Sequence, residues 1–354
     1  MNARLAAVLV ALLVVLGGAA LLLHREEAEK KPTVVASLGQ PVLPGLPVSE
    51  VAAIALRDAG GTLTLERSGE EWRLAEREGF PADTDRVREF VLKLAELKIG
   101  QLDPAGEADR KRLQLDDSGT RVELRDAQGK TLAALVVGRK YFRKEPEDPV
   151  KALADGRFVA RAEQPETAYI VADALAQASV RSADWILRTG VSAEKIRALE
   201  SRPPQGESWR IERPREDADW TLVGARAGEK LEITRANAAF YSLTNLDLAD
   251  VAPKDLPAAA AGLDRPHVLV AHTFEGLTYT FRIGRREGEN YYLRFSVSGE
   301  PRPQGKDAEE RAKKLAARLA HEKRLSAYLL LVPKTRIEDA LKGRAELLAV
   351  KTKS

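Results

Sequence analysis

Cysteine is absent from this 354-residue chain. That excludes disulfides, thiolate nucleophiles and thiolate metal sites, and it leaves the compartment open. Histidine is scarce, with four in the chain, so imidazole chemistry has few places to arise. An excess of one charge is also missing: 56 basic residues face 53 acidic ones, for a net +3, and no nucleic-acid footprint follows from that. Three sequence signatures of catalysis are lacking. There is no Gly-x-Ser-x-Gly elbow, no Walker phosphate loop and no His-Glu-x-x-His zinc helix. What is present is ordinary for a globular protein with real cores: 44% hydrophobic and 31% charged residues, at a length suited to two domains.

One segment stands apart. Leu5 to Leu23 contains only Leu, Val, Ala and Gly. As a helix rising about 1.5 Å per residue it would be roughly 28 Å long, close to the hydrocarbon thickness of a bilayer. Residues 1–25 therefore read as a single-pass transmembrane anchor, with the bilayer as partner of residues 5–23. A cleaved signal peptide is the alternative, since Gly18 and Ala20 could precede a cleavage point. The length of the run and its continuation through Leu23 favour the anchor, and the missing cysteine excludes a lipoprotein. Positive charge on the two flanks is ambiguous, but a four-residue head bearing Arg4 fits export of the bulk of the chain. Ala6, Ala7, Ala11 and the Gly17–Ala20 run would permit close helix packing in the membrane; plain lipid anchoring is the simpler role.

After a tether at 26–40 the chain is written twice. Gly61 to Arg67 and Glu71 to Leu74 alternate around a Gly-containing turn, as a hairpin does; Ser208 to Arg213 and Asp219 to Leu222 repeat the plan. A short strand precedes each hairpin, at Val51–Leu56 and Lys195–Leu199. A helical pattern follows each: Val87, Phe90, Val91, Leu94 and Leu97 behind the capping stretch Pro81-Ala-Asp-Thr-Asp85, and more loosely Phe240, Leu243 and Leu246. Leu115-Asp116 and Leu263-Asp264 come next, then hairpins turning at Gly129 and Gly276 and ending in Gly138-Arg139 and Gly284-Arg285. The offsets Trp72 to Trp220, Leu115 to Leu263, Gly129 to Gly276 and Gly138 to Gly284 all lie between 146 and 148. Four kinds of landmark in one register predict a tandem duplication. Each copy closes with further strands, and Tyr169 is matched with Tyr328 after a charged helical insertion at 306–324. A tail helix is expected over Ile337–Ala349. The predicted fold is α+β: an N-terminal transmembrane helix, then two tandem, mostly antiparallel β-sheet domains at 41–190 and 191–354, each with a covering helix.

Candidate chemistry is thin. His267 and His272 are five apart on a predicted strand, so they face opposite sides and suit hydrogen bonding better than shared metal ligation. His24 sits at the membrane edge and His321 in the insertion. Asp116 and Asp117 form a carboxylate pair, but recurrence of Asp264 before the second hairpin points to turn chemistry. Trp72 and Trp220 read as core residues, with ligand stacking the lesser reading. Arg139 and Arg285 are placed to pair with carboxylates. In the insertion, Glu309 and Glu310 precede Lys313 and Lys314 by four, as on a solvated helix with an apolar stripe of Ala308, Ala312, Leu315 and Leu319. Its basic residues Lys306, Arg311, Lys313, Lys314, Arg318, Lys323 and Arg324 suit, alternatively, a partner or lipid headgroups. No catalytic residue, cofactor site or metal site is assigned.

The Leu43-Pro-Gly-Leu46 lead-in, the Val51-x-x-Ile54 strand and the Thr62-Leu-Thr-Leu65 hairpin returning through Trp72-Arg-Leu74 resemble the bacterial family called domain of unknown function 4340. The resemblance implies a protein of the bacterial inner membrane with its bulk in the periplasm, often encoded beside the permease and gliding-type auxiliary components of an ABC transport system. It transfers no catalytic residue. The expected function is a non-enzymatic accessory protein of such a system. The alternatives are a periplasmic binding module for an envelope polymer or small ligand, and a periplasmic hydrolase.

Overall fold

The computed structural model describes residues 38–104, 106–301 and 308–349. The expected anchor, most of the tether, His24 and the first two residues of the charged insertion lie outside the described residues. Among those described, no helix is long and apolar enough to cross a membrane.

The first copy forms β1 (Ala53–Asp58), β2 (Gly61–Ser68), β3 (Glu71–Leu74) and β4 (Phe80–Pro81). Helix α1 (Thr84–Glu96), β5 (Gln101–Pro104) and the short α2 (Glu107–Arg112) follow. β6 (Thr120–Arg125), β7 (Thr131–Tyr141), β8 (Gly156–Arg161) and β9 (Gln164–Val171) complete it. Within the capping stretch 81–85 it is Asp83 that starts α1, accepting the amides of Asp85 and Arg86 at 3.2 Å each. Val87, Phe90, Val91 and Leu94 are its buried face, at the 3–4 spacing of a helical stripe.

The second copy forms β10 (Ile196–Arg202), β11 (Trp209–Glu212), β12 (Thr221–Leu222), α3 (Ile233–Tyr241) and β13 (Asp250–Val251). It continues with β14 (His267–Thr273), β15 (Leu277–Glu287), β16 (Asn290–Gly299), α4 (Ala308–Leu325), β17 (Leu330–Pro333) and α5 (Lys334–Ile337). Helix α3 stops at Tyr241, earlier than the Phe240, Leu243, Leu246 pattern predicts. Ala236 and Ala239 are its buried face, while Leu243 and Leu246 are buried in the turn beyond it. The expected tail helix is likewise replaced by the four residues of α5 and a 3-10 turn at Arg344–Leu347. Gly343, extended at ψ 163°, caps that turn, and Leu348 bridges to Leu231.

Two antiparallel sheets result. The first has the order β4-β3-β2-β1-β6-β7-β8-β9-β5 and the second β12-β11-β10-β14-β15-β16-β17-β13. From β3 onward the second order repeats the first strand for strand, including the out-of-sequence return of β5 and β13 to the far edge; the edge strand β4 has no counterpart in the second sheet. Register repeats too: Ile54 faces Leu124 and Leu56 faces Val122, as Leu199 faces Ala271 and Ser201 faces Leu269. These are the inward positions, so parity of burial is kept in both copies. One landmark shifts. Tyr169 pairs with Val159 and Leu102, and the residue in that place of the second sheet is Leu330, paired with Leu293 and Val251; Tyr328 stands two residues before it.

A loop covers part of the outer face of each sheet. In the first, Leu113 and Leu115 cluster with Phe158, Ala160, Ala168 and Ile170; in the second, Ala261 clusters with Tyr292, Leu331 and Ala252, with Leu263 beside them. The loops share their hydrogen bonds. Leu113 N reaches Asp109 O and Leu115 N reaches Arg110 O, while Ala261 N reaches Pro257 O and Leu263 N reaches Ala258 O. Arg139 N then donates to Leu113 O, and Arg285 N to Ala261 O, both at 2.8 Å. This explains the repeated Gly-Arg. A Cβ at Gly138 would lie 2.3 Å from Leu113 O, and one at Gly284 would lie 2.0 Å from Ala261 O.

By internal contacts the chain forms two compact units, one from residues up to 62 with 89–179, the other from 63–88 with 180–354. The second unit thus recruits the segment carrying β3 and β4. Within it, Asp83 N donates to Trp185 O at 2.7 Å, the rings of Phe80 and Tyr328 meet edge to face at 4.8 Å, and Arg77 Nε donates to Ser182 Oγ at 3.1 Å.

Candidate functional site

The residues that sequence reading singled out are spread through the fold, each with a local task. In the first unit Asp116 accepts the amide and the hydroxyl of Ser118, an Asx turn whose hydrogen bonds hold its carboxyl below the ordinary value. Asp264 occupies the matching place after Leu263 in the second. His267 meets Ser201 Oγ through Nε2 at 2.6 Å, and burial drops its pKa to about 4, so the imidazole is neutral. His272 meets Thr278 Oγ1 through Nδ1 at 3.0 Å from the opposite face of β14. His321 Nε2 lies 3.4 Å from Thr189 O. Trp72 and Trp220 are buried, and Trp220 donates to Asn237 on α3 at 3.0 Å under the guanidinium of Arg213. Arg285 pairs with Glu287 at 3.2 Å, and Arg139 approaches Glu145 at 4.0 Å. No group of His, Asp and Glu suited to a metal ion occurs among the described residues.

The charged insertion is more than a solvated helix. The Glu309–Lys313 and Glu310–Lys314 pairs do line its outer side as α4. Its buried stripe, however, runs Leu315, Leu319, Glu322, Leu325, so a carboxylate takes a core position. Glu322 Oε1 accepts Ser192 N and Oε2 accepts the Tyr279 hydroxyl, both at 2.9 Å. Burial pushes its carboxyl above the ordinary value, against the downward pull of those bonds. Arg318, one of the basic residues expected to face a partner or lipid, turns inward instead. It bonds Glu194 at 2.6 Å and approaches Glu275 at 3.6 Å and Glu322 at 4.0 Å. The cluster fastens α4 within the second unit. Sequence reading missed it because Glu322 and Arg318 look like two more charges in a charged run.

The first unit holds a second concentration of charge, and this one is open. A cleft of about 640 Å³ lies where the 110–119 loop meets the outer face of β1, β6 and β7. Arg57, Arg110, Arg121 and Arg161 line it, with Asp58, Asp116 and Asp117 at its rim and Val136 and Ala160 as apolar floor. Arg161 is held rigidly, its Nε donating to Val42 O at 2.6 Å and its guanidinium lying 5.3 Å from the Tyr169 ring centre. Arg57 and Arg121 are direct cross-strand partners. The Nε of Arg110 is buried without an acceptor. None of these four arginines was singled out from sequence. The signal lay in comparing the copies position by position, since Arg121, Arg110 and Arg161 correspond to Val268, Ala258 and Phe295 once the strands are paired.

Neither curated proteins nor solved structures provide a match to this chain. A family profile, described as a domain of unknown function, DUF4340, matches residues 72–266, just over half of the chain. That span takes in the β6–β7 hairpin, the β11–β12 hairpin and both covering loops, and the chain belongs to the DUF4340 family.

Proposed function

We propose that this protein is a non-enzymatic accessory subunit of the bacterial cell envelope. It is held in the inner membrane by the single-pass segment 5–23, exposes its bulk to the periplasm and works beside an ABC-type transport system. The observation that carries this reading is that three side chains offered as catalysts, Asp116, His267 and His272, are each committed to a local hydrogen bond. Asp116 holds a turn, and His267 and His272 each hold a separate hydroxyl. A hydrolase needs such groups to converge on one reacting atom. Two copies of one β-rich module, arising by tandem duplication, suit a scaffold that presents surfaces to partners.

Purification of the full chain from its native membrane in mild detergent tests the proposal. Permease and auxiliary components of an ABC system should co-elute and be identified by mass spectrometry. Recovery of the protein alone, under conditions in which a known ABC complex of the same membrane stays intact, would refute it.

A further inference from the structure

We infer that the arginine-lined cleft of the first unit binds an acidic saccharide, taking its oxyanion between Arg57 and Arg121 and its hydroxyls at Asp116 and Asp117. The inference goes beyond the accessory role and does not depend on it.

Several outward arginines on these sheets are matched by a glutamate two residues away. Arg73 pairs with Glu71 at 2.9 Å, Arg125 with Glu123 at 3.1 Å and Arg202 with Glu200 at 2.8 Å. Arg57 and Arg121 depart from this pattern. Residue 55 is alanine, and Glu123 is taken by Arg125 and by the Thr131 hydroxyl at 2.6 Å. Two like charges directly opposed across an antiparallel pair destabilise it. The buried Arg110 Nε, which has no acceptor, adds a second unfavourable group to the same cleft. An oxyanion relieves the opposed pair, since guanidinium groups bind carboxylate and phosphate in a bidentate way.

The second copy shows what the fold itself requires at these positions. The counterpart of the Arg57–Arg121 pair is Arg202–Val268, and Arg202 is neutralised by Glu200. The ladder is therefore satisfied by valine, and Arg121 serves something other than the sheet. The second sheet's own opposed pair, Arg282–Arg294, falls where the first has Val136 and Ala160, the floor of the cleft. Ligand class follows from the remaining lining. At about 640 Å³ the space suits a small ligand. Carboxylates on the rim would repel a bare anion but accept hydrogen bonds from hydroxyl groups. A sugar bearing a carboxylate or phosphate supplies both.

Isothermal titration calorimetry on the full chain in detergent provides the test, with glucuronate and glucose 6-phosphate as probes against glucose and inorganic phosphate. At least one acidic sugar should bind, about tenfold or more tighter than either control. Arg121→Val, the residue the second copy uses, should weaken that binding about tenfold while leaving the melting temperature unchanged or higher. The inference is overturned if no probe binds, if glucose or phosphate binds as well as the acidic sugars, if Arg121→Val binds like the wild type, or if that variant melts lower.

Discussion

The phenol of Tyr279 donates a hydrogen bond to the carboxylate of Glu322 at 2.9 Å, between a strand and a helix, with Glu322 only 1% exposed. The first copy has no such helix: β8 turns tightly into β9 where the second copy inserts α4 between β16 and β17. The pair therefore marks how one copy accommodated an insertion, by burying a charge that its surroundings can satisfy.

Removing that carboxylate should be costly. Glu322→Ala leaves the Ser192 amide and the Tyr279 hydroxyl buried without an acceptor and Arg318 with one carboxylate fewer. A loss of about 3–5 kcal/mol is expected. Glu322→Gln retains an acceptor for one of the two and should lose less. Urea denaturation followed by tryptophan fluorescence would measure both.

The same group predicts a pH dependence. Its folded pKa is raised by burial. Its stabilising contribution is therefore complete below the unfolded carboxyl value of about 4.3 and declines as pH rises through the folded value. Glu322→Gln should flatten that decline, seen by repeating the denaturation series across pH. An unchanged slope in the variant would assign the decline to other groups.

His267 acts with the opposite sign. Its folded pKa of about 4 lies below the ordinary 6.5, so the neutral ring contributes stability above pH 6.5 that is lost as pH falls toward 4. Because the imidazole is partly solvated, about 1–2 kcal/mol is expected from it. Nuclear magnetic resonance titration should place the His267 ring protons near 4, and His267→Gln should remove its share of acid sensitivity.

The two Gly-Arg sites should respond alike. Gly138→Ala and Gly284→Ala each force a methyl group into a carbonyl oxygen of the covering loop, at 2.3 and 2.0 Å. About 2–4 kcal/mol of destabilisation is expected from each, read as a lowered thermal midpoint. A variant melting like the wild type would mean the loop can give way.

The covering loops also differ in one instructive residue. Gln114 has φ 56° where Gly262 has φ 70°. A left-handed backbone costs a side-chain-bearing residue about 1–2 kcal/mol, offset by the greater unfolded freedom of glycine. Gln114→Gly should therefore stabilise by up to about 1 kcal/mol in equilibrium denaturation.

Much of this architecture was legible beforehand for a definite reason. Strand period, turn glycines and caps are local, and duplication let each copy corroborate the other. Thus the hairpins around Gly129 and Gly276, a helix cap within 81–85 and the i to i+4 pairs of α4 all stand where the sequence places them. The alignment of Tyr169 with Tyr328 went astray because a shared Ala-Tyr dipeptide outweighed a ladder that no sequence displays.

By itself the sequence determined the repeat, the two mostly antiparallel β-sheet domains, the apolar segment at 5–23 and the burial parity of most strands, since these follow from periodicity along one chain. Tertiary structure alone decided which charges are spent and which are free. Glu322 and Arg318 stand in a run of surface-like residues, yet folding buries them against Tyr279, Ser192 and Glu194. Arg57 and Arg121 are 64 positions apart, and only the β1–β6 pairing sets two positive charges face to face with no carboxylate between them. Charge pairing depends on distance in space, which neighbours in sequence do not report.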